Sequence, residues 1–262
     1  MRGRLLKEFL VLALVAVAIW FGLTQLRLAP DNPTELLTES QERALGDILV
    51  RQMLISHEEV DAPEVDAAID AIAGRLIAAS EKQPDAYRVV VVQSMHVNAM
   101  TFPGGTIIIF SGLIDMTESP EELAAVLAHE MAHIEKRHVT QKLLKTLGIE
   151  VVALVVSGGD LSVLSDVVEI VVSTMFDRAQ EREADRHAMD LLIKANINPR
   201  AMVRFFRRLM AHEGKLGEVL EIVSTHPGTE SRVREALQFR LPENAAFEPF
   251  ELDWNAVKAA LP

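Results

Sequence analysis

The sequence contains no cysteine at all. This excludes disulfide bonds, thiolate metal ligands, a cysteine nucleophile and a lipid-modified cysteine, so any metal site must be built from histidine and carboxylate side chains. Basic residues are also scarce, because 26 Lys and Arg stand against 38 Asp and Glu and give a net charge of −12. Such a chain lacks the positive surface that nucleic-acid binding requires, and no nucleic-acid partner is expected.

The N-terminus carries one long apolar run. Residues 9–23 read FLVLALVAVAIWFGL, and basic residues precede them within the first seven positions. A secretory signal peptide and an uncleaved membrane anchor both begin in this way. The small-residue cleavage motif at 16–18 lies inside the run, so cleavage there would leave an apolar end exposed. We therefore predict a single-pass anchor over residues 1–30, in the inner (cytoplasmic) membrane, with the rest of the chain facing the periplasm.

A change of hydrophobic period separates the middle of the chain from its flanks. Residues 87–93 and 106–110 are β-rich, and between them residues 98–105 indicate a strand followed by a Pro-Gly-Gly turn. A small hairpin or meander is predicted there. The flanking segments have apolar residues at helical spacing. The predicted divisions after the anchor are a helical segment at 31–85 that packs on the central domain, the central domain itself at 86–240, and a C-terminal tail at 241–262.

Several signals agree on a helix that begins near residue 120. Ser119 is a good N-cap, Pro120 suits the first helical position, and Glu122 would complete a capping box. The helix is predicted to run to about Arg137. Further on, residues 151–156 and 163–172 are apolar but too short to span a bilayer. We predict core helices for them, and the alternative is a membrane-dipping or regulatory loop.

Inside the helix that begins at Pro120 the chain reads H-E-M-A-H, from His129 to His133. Two histidines four residues apart lie one above the other on a helix face and can offer two imidazoles to one tetrahedral Zn²⁺ ion. Glu130 projects beside that ion, where it can act as the general base that takes a proton from the attacking water. The alternative is that both histidines are ordinary core residues, but imidazoles on so apolar a face need partners, which a metal ion supplies.

A catalytic zinc needs a third protein ligand. Acidic residues recur at Asp177, Glu181 and Asp185 along one face of a predicted helix, and their like charges repel unless a cation lies between them. Neighbouring arginines offer the alternative of a salt-bridged solvent face. Spacing alone leaves the choice open. The candidates are His96, Glu150, Asp177, Glu181, Glu183, Asp185, His187, His212 and His226.

Three motifs taken together resemble peptidase family M48. They are H-E-M-A-H, then E-R-E-A-D from Glu181 to Asp185, then T-H-P-G-T-E-S-R near the end of the central domain. The resemblance implies one zinc per chain with Glu181 as its third ligand, and Asp185 beside it to orient a zinc-bound histidine. It also implies a gluzincin-type zinc metallopeptidase domain that is mainly α with a small β-sheet (α+β), behind one N-terminal transmembrane helix.

The same resemblance suggests two further parts of the site. His226 should lie near the zinc, where its imidazole could cap the metal in a resting state or stabilise an oxyanion when protonated; an ordinary loop histidine is the alternative. The segment before the metal helix is expected to bind substrate as an extended edge strand, main chain to main chain. Its residues are Asn98, Ala99, Met100, Thr101 and Phe102.

These features predict a zinc-dependent endopeptidase that hydrolyses peptide bonds in unfolded or damaged envelope proteins, because main-chain pairing tolerates many side chains. The alternative is a zinc-stabilised module that binds clients or an assembly partner and cleaves little. Glu130 favours the enzyme, since a binding module does not need a general base.

Overall fold

The most apolar strand of the sequence, Thr106–Phe110 (β3), is the central strand of a three-stranded sheet in the described part of the computed structural model. Arg88–Val92 (β1) pairs with it in parallel, and Ala99–Thr101 (β2) pairs with it antiparallel, which gives the order β1-β3-β2. The predicted hairpin is therefore formed by β2 and β3. The predicted alternative, a meander, is wrong, because a meander places β2 between β1 and β3, whereas here β3 lies between β1 and β2.

The hairpin turn depends on glycine. Gly104 and Gly105 have φ angles of 77° and 106°, in the region that residues with a Cβ atom avoid. A Cβ at Gly104 would also lie 2.5 Å from the Cα of Arg43. The Pro-Gly-Gly sequence thus allows the helix that carries Arg43 to pack closely against the end of β2.

Helices cover both faces of the sheet. The described residues are 33–158, 164–172, 176–212, 221–243 and 245–262, and the predicted anchor at 1–30 lies outside them. None of the described helices is both long and apolar enough to cross a membrane.

Pro33–Leu36 forms a short 3-10 helix, and residues 37–262 form a separate compact unit. The α-helices are Glu39–Met53 (α1), Pro63–Ala79 (α2), Ser111–Met116 (α3), Pro120–Glu135 (α4), His138–Leu147 (α5), Ile149–Val156 (α6), Leu164–Val172 (α7), Arg178–Lys194 (α8), Arg200–His212 (α9), Glu221–Thr225 (α10), Thr229–Gln238 (α11) and Trp254–Ala259 (α12).

The alternation of side chains along β3 divides the core into two clusters. Ile107 and Ile109 face the first cluster, with α2, α4, α8 and α9, whereas Ile108 and Phe110 face the second, with α1, α5, α6 and α7. Because helices cover both faces, every residue of β3 is buried, and the strand is apolar throughout rather than alternating. The apolar segments α6 and α7 pack into the second cluster as predicted, although Leu154 of α6 stays 42% exposed.

The start of α4 differs from the prediction in its capping. Ser119 is the N-cap, but its side chain makes no cap hydrogen bond. Glu122 accepts from the backbone N–H of Glu118 at 3.0 Å and from Arg208 of α9 at 3.1 Å. The predicted capping box is therefore wrong, because the Glu122 carboxylate accepts from the backbone N–H one residue before the N-cap and from a charged partner on a distant helix.

The described part of the C-terminal tail packs against the first core cluster. Trp254 and Val257 are buried there, and the Trp254 indole donates to the carbonyl of Thr117 at 3.2 Å. Arg75 of α2 donates to the carbonyl of Glu248 at 2.8 Å, and its guanidinium lies 4.8 Å from the centre of the Phe250 ring. This tail is an integral part of the fold.

Candidate metal centre

Two helices that pack side by side, α4 and α8, supply most of the site. His129 and His133 lie one turn apart on the buried face of α4. Glu181 lies in the first turn of α8, which begins after Asp177; the Asp177 carboxylate caps the helix by accepting from two backbone N–H groups. Asp177 is therefore the N-cap of α8, and its carboxylate does not group with those of Glu181 and Asp185.

Four buried side chains converge on one point. His129, His133, Glu181 and His226 each offer a ligand atom, and these atoms all lie within 4.8 Å of one another. The Nε2 atoms of the two α4 histidines are 3.0 Å apart, and each lies 3.5 Å from an oxygen of Glu181. His226 Nδ1 lies 3.0 Å from Glu181 Oε1 and 3.2 Å from His129 Nε2. Three imidazoles and one carboxylate in this arrangement are suited to hold a metal ion.

The Glu130 carboxylate lies beside this group and is held at one oxygen. Thr101, the last residue of β2, donates its hydroxyl to Glu130 Oε2 at 2.6 Å. The other oxygen, Oε1, is buried without a hydrogen-bond partner and lies 3.6 Å from His226 Nε2. A buried carboxylate oxygen of this kind is available to accept a proton or a hydrogen bond from a water.

Behind the ligand atoms lies an ion-pair network. The Asp185 Oδ1 atom is 3.0 Å from His129 Nδ1, on the side of the ring away from the other ligand atoms. Arg232 of α11 donates through two nitrogens to the Asp185 carboxylate, at 2.7 Å each, and its third nitrogen lies 2.6 Å from Glu181. Arg232 thus links the two acidic residues of α8 and fixes both carboxylates.

Two further side chains contact His133. The spacing of five residues between His133 and His138 predicts that His138 lies off the ligand face, either behind the ligands or at the surface. It is buried, and its Nδ1 atom lies 2.9 Å from His133 Nδ1, so it lies behind the ligands. The Phe176 ring stacks on the His133 imidazole with centroids 3.9 Å apart. The cause is backbone geometry: α4 ends at Glu135, and Arg137 adopts a left-handed conformation with φ of 54°, so the chain turns before His138.

The pKa values reflect burial and close charges. Burial drives the pKa of His133 well below its ordinary value. Burial would raise the pKa of Glu181, but the neighbouring imidazoles outweigh it and hold the pKa far below the usual range. Burial, and next the neighbouring Arg232, act to lower the pKa of His129. The carboxylates of Asp185 and Glu181 outweigh both effects and raise this pKa to about 9. An ionised Glu181 and a neutral His133 are the forms that ligate a metal, whereas His129 would give up a proton on binding one.

The predicted substrate segment is the edge strand β2 and its neighbours. Asn98, Ala99, Met100, Thr101 and Phe102 are all buried. The cavity next to β2 measures only about 10 Å³ and is lined on its other side by Val171 and Val172 of α7 together with Phe176. Helix α7 therefore covers the edge to which a peptide was expected to pair.

Other third-ligand candidates lie elsewhere. The Glu183 side chain is 52% exposed. His187 pairs with Glu135 at the end of α4, with 2.5 Å between Nε2 and Oε2. The second oxygen of Glu135 accepts from the Tyr87 hydroxyl at 2.5 Å and from Ser80 at 2.8 Å. This half-buried network joins α2, β1, α4 and α8 just beyond the metal ligands.

Tyr87 provides a test of that network, because it is the single tyrosine of the chain. Burial and then the hydrogen bond to Glu135 raise the pKa of Tyr87 above its ordinary value. The stability it contributes is fully present below about pH 10 and is lost as the pH rises through the raised pKa. We expect native protein at about pH 11 to show no phenolate absorbance, whereas protein in urea ionises near pH 10. Ionisation of the native protein near pH 10 would contradict the network, and Glu135→Gln should lower the native pKa.

Comparison with known proteins identifies the family of this chain. The model of peptidase family M48 matches residues 61–240. The chain belongs to this family, which is a family of metalloproteases.

Several relatives carry the same type of domain. The chain is 29% identical over 227 residues to the β-barrel assembly-enhancing protease of Yersinia pestis, covering 80% of this chain and 46% of that protein. It is 30% identical over 220 residues to the mitochondrial metalloendopeptidase OMA1 of Schizosaccharomyces pombe, covering 83% of this chain and 61% of that protein. The metalloprotease LoiP of Escherichia coli is 30% identical over 208 residues, covering 76% and 80%. The chain thus spans about half the length of the first two relatives.

Proposed function

We propose that this protein is a zinc-dependent endopeptidase in which His129, His133 and Glu181 bind the metal and Glu130 is the general base. The observation that carries the proposal is the spacing of the ligand atoms. A tetrahedral zinc ion with bonds of about 2.1 Å holds its ligand atoms roughly 3.4 Å apart. The nitrogens and carboxylate oxygens of these three ligands are separated by 3.0 to 3.5 Å.

The donor set also fits zinc in its chemistry. Imidazole nitrogens and one carboxylate, without thiolates, are the ligands of a catalytic rather than a structural zinc site. Zinc bound there would polarise a water molecule and lower its pKa toward about 7. Asp185 accepts from the far nitrogen of His129 and thereby fixes the ring with Nε2 toward the metal.

Proton transfer falls to Glu130. Its Oε1 atom has no hydrogen-bond partner and faces the ligand group, so it can take the proton of the attacking water and later deliver it to the leaving amine. Thr101 holds the other oxygen and keeps the carboxylate in position. Because Thr101 belongs to β2, a peptide paired with this strand would have its scissile bond close to the base.

His226 is proposed to cap the metal in a resting state. Its Nδ1 atom lies as close to Glu181 and His129 as the ligands lie to one another. It therefore competes with the attacking water for the fourth position. With α7 over β2 as well, the enzyme must open before a peptide can bind.

Unfolded or damaged envelope proteins are the proposed substrates. Pairing through main-chain atoms is tolerant of side chains, as proteolysis of misfolded proteins requires. The relative from Yersinia pestis is named for enhancing β-barrel assembly, which supports an envelope role. The second candidate, a zinc-stabilised module that binds clients with little proteolysis, is favoured by one observation, the covered edge strand.

The membrane anchor at 1–30 and a periplasmic catalytic domain complete the proposal. The 15-residue apolar run and the basic residues before it support both. We expect the full chain to stay with membranes after carbonate washing and to dissolve only in detergent. Release by carbonate would contradict the anchor and leave the zinc site unaffected.

Metal removal tests the two candidates directly. We expect one zinc per chain by elemental analysis and casein cleavage that a chelator abolishes and added zinc restores, because Glu130 needs a polarised water. A His129→Ala variant should lose the zinc, whereas His96→Ala should retain it. One zinc per chain with no zinc-dependent cleavage, even by His226→Ala, would instead establish the binding module.

A further inference from the structure

His138 is a buried histidine that has no part in the site as described so far. It is the first residue of α5, and only 2% of its surface is exposed. Its ring and the His133 imidazole form a T-shaped pair, with centroids 4.9 Å apart and an angle of 69° between the ring planes. Because the two Nδ1 atoms are 2.9 Å apart, one of them donates a hydrogen bond to the other.

Metal binding decides which of the two nitrogens is the donor. The Nε2 atom of His133 lies with the other ligand atoms, 3.0 Å from Nε2 of His129. A neutral imidazole that binds a metal through Nε2 keeps its proton on Nδ1. His133 is then the donor, and His138 accepts through the lone pair of its own Nδ1 atom. The ring proton of a neutral His138 consequently lies on Nε2.

The Nε2 atom of His138 faces a carboxylate. Glu183 of α8 places its Oε2 atom 3.6 Å from this nitrogen, while its Oε1 atom lies 3.3 Å from the Lys136 ammonium group. The negative charge of Glu183 favours a proton on Nε2 and thereby leaves Nδ1 free to accept. The contacts on both sides of the His138 ring thus favour the same tautomer.

A neutral imidazole at this position also suits the charge of the site. The buried carboxylates of Glu130, Glu181 and Asp185 stand against the Arg232 guanidinium and the two positive charges of a zinc ion. These charges cancel when zinc is bound. A further carboxylate in the place of His138 would leave one buried negative charge without compensation, which is strongly destabilising.

We propose that His138 is the positioning residue of His133 and holds its imidazole in the tautomer and orientation in which Nε2 binds zinc. The proposal rests on the proposed zinc-dependent function. Phe176 assists by stacking on the same imidazole at 3.9 Å, so the His133 ring is held at one edge and on one face. Partners of this kind contribute about ten- to hundredfold to metal affinity.

The test compares two substitutions of equal shape. Asparagine and leucine have the same branched side chain, but only asparagine has an oxygen near the position of Nδ1 that can accept the His133 proton. The zinc dissociation constant of the full chain in detergent is measured by competition with a chelating dye. We expect His138→Leu to raise it about ten- to hundredfold and His138→Asn to stay close to the wild type.

The matched control is Leu143→Ala. Leu143 is buried on the same helix in the second core cluster, so its truncation loosens the packing of α5 without removing a polar atom. This variant should keep the wild-type dissociation constant. An equal loss of affinity in His138→Asn and His138→Leu would overturn the proposal, because the loss would then follow packing rather than the hydrogen bond.

Melting temperatures separate positioning from a merely structural role. Zinc that binds only the folded chain raises its melting temperature, and the rise becomes smaller as the dissociation constant increases. We expect a smaller rise for His138→Leu than for the wild type or His138→Asn. An equal rise in all three proteins overturns the role of His138 and leaves the proposed function standing. A wild-type chain that binds no zinc overturns both.

Discussion

Replacing Glu130 with glutamine should lower casein cleavage by about 10³-fold while the zinc content stays at one per chain. Glutamine has nearly the same shape and can still accept the Thr101 hydroxyl that holds the wild-type carboxylate at 2.6 Å. It cannot accept a proton from water at neutral pH. The change therefore removes the base and keeps the ligands, because Glu130 is not among the four residues whose ligand atoms converge.

The measurement compares initial rates of casein cleavage and zinc content in the same preparations. Glu121→Gln is the matched control, since Glu121 lies on the same helix and its Oε1 atom accepts from the backbone of Phe250 rather than facing the metal group. The control should keep the wild-type rate. Equal cleavage by Glu130→Gln and the wild type would disprove the role of the base. Loss of zinc from Glu130→Gln would show that the carboxylate supports the metal.

The two α4 histidines and Glu130 could be predicted from spacing because one helix carries all three. A helix places residues four apart on one face whatever the rest of the chain does. Glu181 lies 48 residues beyond His133, and nothing local fixes where α8 packs. Spacing therefore left nine candidates, and only the resemblance to the family singled out Glu181. The structure places it beside both histidines, as that resemblance implied.

Two features around α4 have different physical causes. Glu122 forms no capping box with Ser119, because its carboxylate accepts from the backbone N–H of Glu118 and from Arg208, which lies on α9 and is distant in sequence. His138 contacts His133 because α4 ends at Glu135 and the left-handed Arg137 turns the chain. The parallel pairing of β1 with β3 has no signal in the residue pattern of either strand.

The mainly helical fold with a small sheet was predictable because its signals are periodic. Period changes marked β1 and β3, and the Pro-Gly-Gly sequence marked the turn between β2 and β3. The anchor at 1–30 and the boundaries at 31–85, 86–240 and 241–262 stay predictions. The position of α7 over β2 could not be predicted from the sequence. An apolar helical segment indicates that one face is buried but not which surface it packs against.

Replacing His226 with alanine should raise casein cleavage about tenfold and leave the zinc in place. The imidazole competes for the fourth metal position, with Nδ1 3.0 Å from Glu181 and 3.2 Å from His129, while its Nε2 atom lies 3.6 Å from the base. Alanine removes this competitor, and His129, His133 and Glu181 suffice to bind zinc. A tenfold rise corresponds to about 1.4 kcal/mol, the stabilisation of the capped state that is lost.

A fall in cleavage would give His226 the opposite role, because a protonated imidazole that stabilises an oxyanion contributes only in the transition state. His96→Ala, at an exposed histidine outside the site, should match the wild type. If His226→Ala cleaves casein faster than the wild type and still binds one zinc per chain, the imidazole ring blocks the site in the wild type. Its removal then leaves the metal bound and gives water access to Glu130.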